Sequence, residues 1–412
     1  MIRRTPLHPS KSWMADECAV ARDQARDVDW DGRSLGGDCR PKVALLVNVV
    51  APYRVPIYEA LARSFRLTLL YGGGEDNRSM WSVPEVRGAT LIRSRGFVFK
   101  RSQRARCGGV WENRYLHITP GYLPDLWRTR PDAVITNEMG FRTLVALLYA
   151  TVCRKPAWIW WGGTLHTERF IGRARRLVRS VIVRWAKRWI SYGDSSTEYL
   201  ESLGVLRTDI VQIQNAVDEQ AFITGGSRAV DLQPRPVVLC VGRMVKLKGI
   251  HHLLDACAIV QGEGVQFTLV MIGDGPEREA LERRARELGL EHVHALGEVA
   301  PDRMPGIYRS ADLLVFPALQ DRWGLVVNEA LWSGVPVLAS RYAGCATELL
   351  PPENVFDPED SVAFASKLKR AVTEGLAAPD TSRMSPIKVV AARLVGDINR
   401  ILESRGLVAA DV

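Results

Sequence analysis

The residues best suited to chemistry fall into two groups separated by a long stretch of chain. The first is Gly242, Arg243, Lys248 and Gly249, in VGRMVKLKG. A glycine there lets the backbone come close to a ligand. Arg243 offers a planar fork suited to phosphate, and Lys248 adds a compact positive charge. Together they would neutralise a pyrophosphate leaving group, although a solvated basic loop would carry the same residues. The second group is DRWGLVVNEALWSGVPVLAS, beginning at Asp321. Gly324 allows close approach where a helix begins, a position that favours an anion such as a diphosphate. Glu329 lies in that helix among Val326, Val327, Ala330 and Leu331. A carboxylate there is costly without a polar partner, and ribose or sugar hydroxyls are such partners. A plain surface carboxylate is the alternative for both Glu329 and Asp321. Between the groups lies Gly273-Asp274-Gly275-Pro276, which a tight strand-to-helix turn explains. No Gly-x-Gly-x-x-Gly run occurs, which counts against a nicotinamide enzyme.

These groups need elements to hold them. Apolar runs at 43–49, 66–71, 133–136, 157–161 and 189–192 read as strands. They alternate with helical patterns at 55–63, 141–153 and 173–187. Ser195 and Glu198 have capping-box spacing for a further helix reaching Leu203. The stretch 75–122 reads as irregular and basic. A polar segment, 218–236, carries Gly225, Gly226, Pro234 and Pro236 and reads as a linker. Strands are then expected at 237–241, 267–272, 292–296, 312–316 and 335–339, with helices at 250–260, 277–288 and 325–332. A long helix near 387–404 ends the pattern. Such alternation implies βαβ units and parallel sheets, so the expected fold class is α/β with two doubly wound domains. The 412 residues suit two cores. Ligands of such sheets lie at the carboxyl ends of the strands, and two facing sheets make one deep cleft.

Composition narrows the partners. With 47% hydrophobic and 25% charged residues, a soluble globular protein is expected. No apolar run reaches the ~20 residues that span a bilayer. Residues 1–40 lack the apolar core of a secretory signal, and seven scattered cysteines without a Cys-x-x-Cys pair suit reduced thiols, so a cytoplasmic location is expected. The net charge of +9 favours anionic partners. Zinc-finger and RNA-binding signatures are missing, so nucleic acid is not an expected partner. Asp27-Val28-Asp29 and Asp29-Trp30-Asp31 look like a metal-holding carboxylate pair but precede any strand, and no metal role is assigned to them.

From Val237 to about Leu350 the chain resembles the retaining GT-B glycosyltransferases known as family 4. The resemblance rests on VGRMVKLKGI, MIGDGPE, YRSADLLVFPA, an acidic residue separated from Glu329 by seven residues, and Gly-Val-Pro-Val, in that order. It implies two Rossmann-like domains: 41–217 on the acceptor side, 218–236 a linker, 237–385 the nucleotide-sugar domain, and 386–412 a helix crossing back, after a disordered tail at 1–40. It implies that Arg243 and Lys248, with Gly242 beside them, hold the donor diphosphate. It implies that Glu329 binds the ribose, that Asp321 contacts hydroxyls of the transferred sugar, and that backbone around Trp323, Gly324 and Leu325 contacts sugar and phosphates. The first acidic position is usually Glu in this family and is Asp321 here, one methylene shorter.

The first half matches more loosely. NVVAPYRVPIYEAL resembles the opening loop of bacterial polysaccharide-building members, with Ala51, Pro52 and Tyr53 where many relatives have glycines. WWGGTLHTERF resembles the loop lining the cleft: Gly162 and Gly163 are expected to let the backbone approach the donor, and His166 to position the transferred sugar, with a surface histidine as the alternative. Asn215 is expected at a hinge or turn. The implied reaction transfers a sugar from a nucleotide-diphosphate donor to a glycan or lipid-linked acceptor hydroxyl, with retained configuration, no cofactor and no metal. A non-catalytic nucleotide-sugar or glycan-binding module on the same fold is the alternative. Two basic stretches remain, one from Arg93 to Arg106 and one at 173–188. In the second, apolar residues mix with arginines, a pattern that suits an anionic membrane surface.

Overall fold

The structure is a computed structural model in which residues 39–73, 83–104, 110–229 and 231–407 are described, with the side chains of 101–104 and 110–114 left aside. Residues 1–38 of the expected tail, with its aspartate pairs, and Arg106 lie outside the described residues.

In chain order the first half runs β1 (Lys42–Val47), α1 (Val55–Ser64), β2 (Arg66–Tyr71), β3 (Thr90–Arg93), β4 (Phe97–Arg104), β5 (Val110–Ile118), α2 (Tyr122–Thr129), β6 (Ala133–Asn137), α3 (Phe141–Val152), β7 (Ala157–Trp161), α4 (Arg173–Trp185), β8 (Trp189–Tyr192), α5 (Gly193–Ser202) and β9 (Ile210–Ile213). A short α6 (Glu219–Thr224) follows. The second half runs β10 (Val237–Val241), α7 (Ile250–Gly262), β11 (Thr268–Ile272), α8 (Arg278–Glu287), β12 (Val293–Gly297), α9 (Met304–Tyr308), β13 (Leu313–Phe316), α10 (Leu325–Trp332), β14 (Val337–Ser340), α11 (Ala346–Leu349), β15 (Val355–Phe356), α12 (Ser361–Thr373) and α13 (Ile387–Glu403).

Each half carries one all-parallel sheet. The first has the order β3-β2-β1-β6-β7-β8-β9, and the second β12-β11-β10-β13-β14-β15. Strands covered by helices on both faces must be apolar throughout. Accordingly Val43, Ala44, Leu45 and Leu46 of β1 are all buried, as are Val237, Val238, Leu239 and Cys240 of β10. In both sheets the strand order reverses beside the first strand of that half, which opens a crevice at the strand ends there.

α13 returns to the first sheet. Its Val390, Leu394, Ile398 and Leu402, spaced about one helical turn apart, join the core that contains Ile57 and Leu61 of α1. Asp397 accepts a hydrogen bond of 2.8 Å from Trp158 Nε1 of β7.

Three local expectations are corrected. The stretch read as irregular contains β3 and the antiparallel β4–β5 hairpin; the dense charge of FVFKRSQR hides its strand alternation. α5 starts at Gly193 and not after a Ser195 cap, and its first turn uses no side-chain cap of its own. Ser195 Oγ instead donates to Gly344 O at 3.1 Å, in the other half of the chain. The segment read as linker holds α6, whose first turn is capped by Asp218.

Candidate functional site

The basic cluster forms where β10 ends. A Cβ on Gly273 would lie 2.1 Å from Gly242 O, and one on Gly275 2.4 Å from Met244 O. Those glycines therefore let the turn after β11 lie directly on the backbone of 242–244. The Lys246–Lys248 turn follows, and Gly249, at φ +65, packs so closely that a Cβ would meet Pro317 O at 2.0 Å. This brings Lys248 to the end of β13, where its Nζ lies 5.4 Å from the centre of the Phe316 ring.

Asp321 waits at the same place. One oxygen pairs with Lys248 Nζ, and the other accepts the Trp323 amide at 3.0 Å. Burial opposes its ionisation, but Lys248, the Trp323 amide and the nearby charge of Arg243 outweigh burial and hold the carboxyl below its ordinary value. Arg243, Lys248 and Asp321 are thus one electrostatic cluster. The acid and the lysine that were assigned separate ligand groups are bonded to each other here. Gly324, at φ +99, caps α10, and a Cβ on it would press on Phe316 at 2.7 Å. Trp323 is buried, and its Nε1 donates to Asn328 at 2.8 Å. Its indole therefore braces the helix start.

Glu329 sits one turn into α10, half-buried. Sequence reasoning required a polar partner for it, and the chain itself supplies one. Tyr308, at the end of α9, donates to Glu329 Oε2 at 2.6 Å. Desolvation still dominates and pushes the carboxyl up to about 7. Tyr308 stands inside the YRSADLLVFPA motif, but nothing in the sequence marks it as the partner of a carboxylate 21 residues away.

The first half contributes the opposite wall. Gly162 and Gly163 follow β7, but their lack of side chains serves the protein's own packing. A Cβ on Gly162 would strike the Tyr192 ring at 2.3 Å, and one on Gly163 the Trp161 ring at 2.4 Å. Tyr192 in turn accepts a hydrogen bond from Arg54 of the opening loop, whose guanidinium lies 5.2 Å from the Trp160 ring centre. His166 reaches across to the second half. Its ring stacks on Tyr342 at 4.2 Å, and its Nε2 lies 2.9 Å from Leu319 O. A carbonyl only accepts, so Nε2 carries the proton. Burial lowers the imidazole below its usual value and keeps it neutral.

Two further residues at this wall were not found from sequence. Glu138 follows β6 with φ +66, in the left-handed region that costs a non-glycine residue energy. Its amide donates to Trp160 O at 3.0 Å, its carbonyl accepts from Thr143 Oγ1 at 2.5 Å, and its carboxylate pairs with Arg322 at 2.8 Å, next to Asp321. Gln214, beside the expected hinge residue Asn215, donates to Glu348 Oε1 at 2.8 Å and accepts the Ser385 amide at 2.7 Å. Glu348 Oε2 also accepts the Asp194 amide at 3.0 Å, at the start of α5. A sign for Glu138 existed in TNEMG, an acid between a strand and a glycine. Gln214 and Glu348 gave none.

Residues 228–386 match the family described as glycosyl transferases group 1. Over those residues, the chain is similar to the group 1 glycosyl transferases. A sulfoquinovosyl transferase of Arabidopsis thaliana, SQD2, is 32% identical over 317 residues, which cover 70% of this chain and 58% of that protein. A 2-deoxystreptamine glucosyltransferase of Streptomyces kanamyceticus is 25% identical over 255 residues, 56% of this chain and 66% of that one. The chain therefore spans less than two thirds of the length of these curated relatives. The Anabaena protein Alr3699/HepE, solved with UDP and glucose, superposes with a TM-score of 0.63 at 18% identity, covering 90% of this chain and all of that one. Likenesses of this kind show the fold: two Rossmann-like domains in the GT-B arrangement.

Proposed function

We propose that the chain is a retaining, metal-independent glycosyltransferase acting on a nucleotide-diphosphate sugar. The carrying observation is that Arg243 and Lys248 form one charged cluster with Asp321, which is distant in sequence, beside the start of α10. Arg243 and Lys248 take the donor diphosphate, drawing Lys248 partly away from Asp321, whose carboxylate is then shared with hydroxyls of the sugar. Glu329 takes the ribose. In the transfer step the bond from the anomeric carbon to the leaving phosphate oxygen breaks. A bond from that carbon to the acceptor oxygen forms on the same face, and the acceptor proton passes to the leaving phosphate. Catalysis is then charge stabilisation and positioning. His166, held against Leu319 and Tyr342, positions the sugar through the loop it anchors. The acceptor is a hydroxyl of a glycan or lipid-linked glycan made at a cytoplasmic membrane face, in polysaccharide or glycolipid synthesis.

The nucleotide panel decides first. Thermal shifts with nucleoside diphosphates and their sugars identify the donor, because a bound ligand raises the midpoint. Arg243→Ala then lowers turnover on that donor by about 10²–10³-fold. Near-normal turnover in this variant, or no shift with any nucleotide, overturns the reading.

A further inference from the structure

The basic helix α4 has two different sides. One faces the core: Ile182 is buried, and Arg179 is buried in a pair with Glu168 at 2.5 Å. Arg179 therefore belongs to the scaffold of the loop that carries His166 and is withdrawn from any surface. The other side repeats at one-turn spacing as Arg173, Leu177, Val181 and Arg184, all exposed, with Leu177 at 66%. Phe170, just before the helix, is 86% exposed.

This side continues onto α2 and α3. Trp185 Nε1 donates to Thr151 Oγ1 at 2.9 Å, which ties α4 to α3. Trp127 meets Tyr149 edge to face at 6.1 Å, which ties α2 to α3. Exposed apolar side chains flank both ties: Trp127 on α2, Leu148 and Val152 on α3, Val181 on α4. Arg130 and Arg154 stand exposed among them, and so does Arg128, whose charge is offset by Asp125 at 3.0 Å. The acids from the start of α2 to Tyr192 are Asp125, Asp132, Glu138 and Glu168. Asp125 pairs with Arg128, Asp132 holds Lys155, Glu138 turns into the cleft toward Arg322, and Glu168 is buried on Arg179. The three helices therefore share one outer face that mixes exposed apolar groups with positive charge and presents little negative charge. A second copy of such a face would repel it.

We propose that the outer face of α2, α3 and α4 docks on an anionic lipid bilayer, with Phe170, Leu177 and Val181 entering the headgroup boundary and Arg173 and Arg184 meeting lipid phosphates. The link to a lipid-bound acceptor rests on the function proposed above, whereas the docking itself does not.

The test is co-sedimentation of the full chain, without donor or acceptor, with vesicles of phosphatidylcholine alone and of equal parts phosphatidylcholine and phosphatidylglycerol. Wild type binds the anionic vesicles and leaves the neutral ones. Arg173→Gln with Arg184→Gln weakens binding by about fivefold per arginine. Leu177→Gln with Val181→Gln weakens it by about tenfold. All four side chains are exposed, so thermal midpoints stay unchanged. Equal binding to both vesicle types, no binding at low salt, or wild-type binding by both variants overturns the proposal. So does a soluble dimer that the same substitutions dissociate. Transfer to a water-soluble acceptor, assayed separately, reads the proposed function, so a chain that transfers sugar but ignores vesicles defeats only the docking.

Discussion

At the residue scale, the two acids of the second half have opposite electrostatic characters. Asp321 is held ionised by Lys248, and Glu329 is pushed toward its neutral form by burial. The raised Glu329 value sets a sign. Its contribution to stability is complete below the ordinary 4.5 and is lost as pH rises through about 7. Glu329→Gln keeps a neutral side chain at every pH. The thermal midpoint of this variant should therefore gain on wild type as the buffer moves from about pH 5 to about pH 8. A constant difference across that range contradicts the assignment. Asp321 works the other way: its contribution is present above its ordinary value and is lost as acid protonates the lowered carboxyl. Asp321→Asn leaves Lys248 mostly buried without its counter-charge. The expected cost is about 3 kcal/mol in denaturant unfolding at neutral pH, and a loss below about 0.5 kcal/mol would mean that water already screens the pair.

At the element scale, the start of α5 shows how one helix is finished by another domain. Its first turn has no cap of its own, and the Glu348 carboxylate lies on the Asp194 amide, where the helix dipole favours negative charge. Gly193, at φ +60, makes room for that carboxylate, since a Cβ would lie 2.1 Å from Glu348 Oε2. Gly193→Ala combines backbone strain with a clash and should cost roughly 1–3 kcal/mol, measured by urea unfolding. Glu348→Ala in the same background should remove most of the clash term and leave only the strain. Equal losses in both backgrounds would show that the contact is incidental. Much of this level was legible beforehand. The apolar runs located β2, β7, β8, β10 and α10 at their observed bounds, because a strand buried on both faces has almost no alternative composition. The β4–β5 hairpin and the start of α5 were not legible. The first is a charged ribbon outside the main sheets, and the second takes its cap from residues about 150 positions away in sequence.

At the scale of the whole molecule, the two sheets meet through many small polar contacts. Glu138 pairs with Arg322, His166 donates to Leu319 O, Gln320 donates to Thr167 O at 2.8 Å, and Gln214 bridges to Glu348. The Glu138–Arg322 pair is close to half exposed on both sides. Such a pair is worth no more than about 1 kcal/mol and weakens with salt. Under the proposed function, such weak polar contacts suit a cleft that opens and closes once per turnover. Glu138→Arg places two positive charges face to face and should expand the ligand-free protein in small-angle scattering. Adding Arg322→Glu should restore the compact form. If the double variant stays expanded, Glu138 acts through its strained backbone and not through its charge.

The sequence by itself determined the βαβ alternation in both halves, the basic turn at Arg243 and Lys248, and the acid spacing from Asp321 to Glu329. Local composition is enough for these, since burial dictates apolar runs and a charged residue inside one stands out. Tertiary structure alone decided that Lys248 pairs with Asp321, that Tyr308 is the partner of Glu329, and that Gly162 and Gly163 make room for Tyr192 and Trp161. It also decided that Glu138 and Gln214 join the two halves, and which side of α4 faces out. These depend on residues far apart in the chain being brought within hydrogen-bond or van der Waals distance, and neither periodicity nor spacing encodes that.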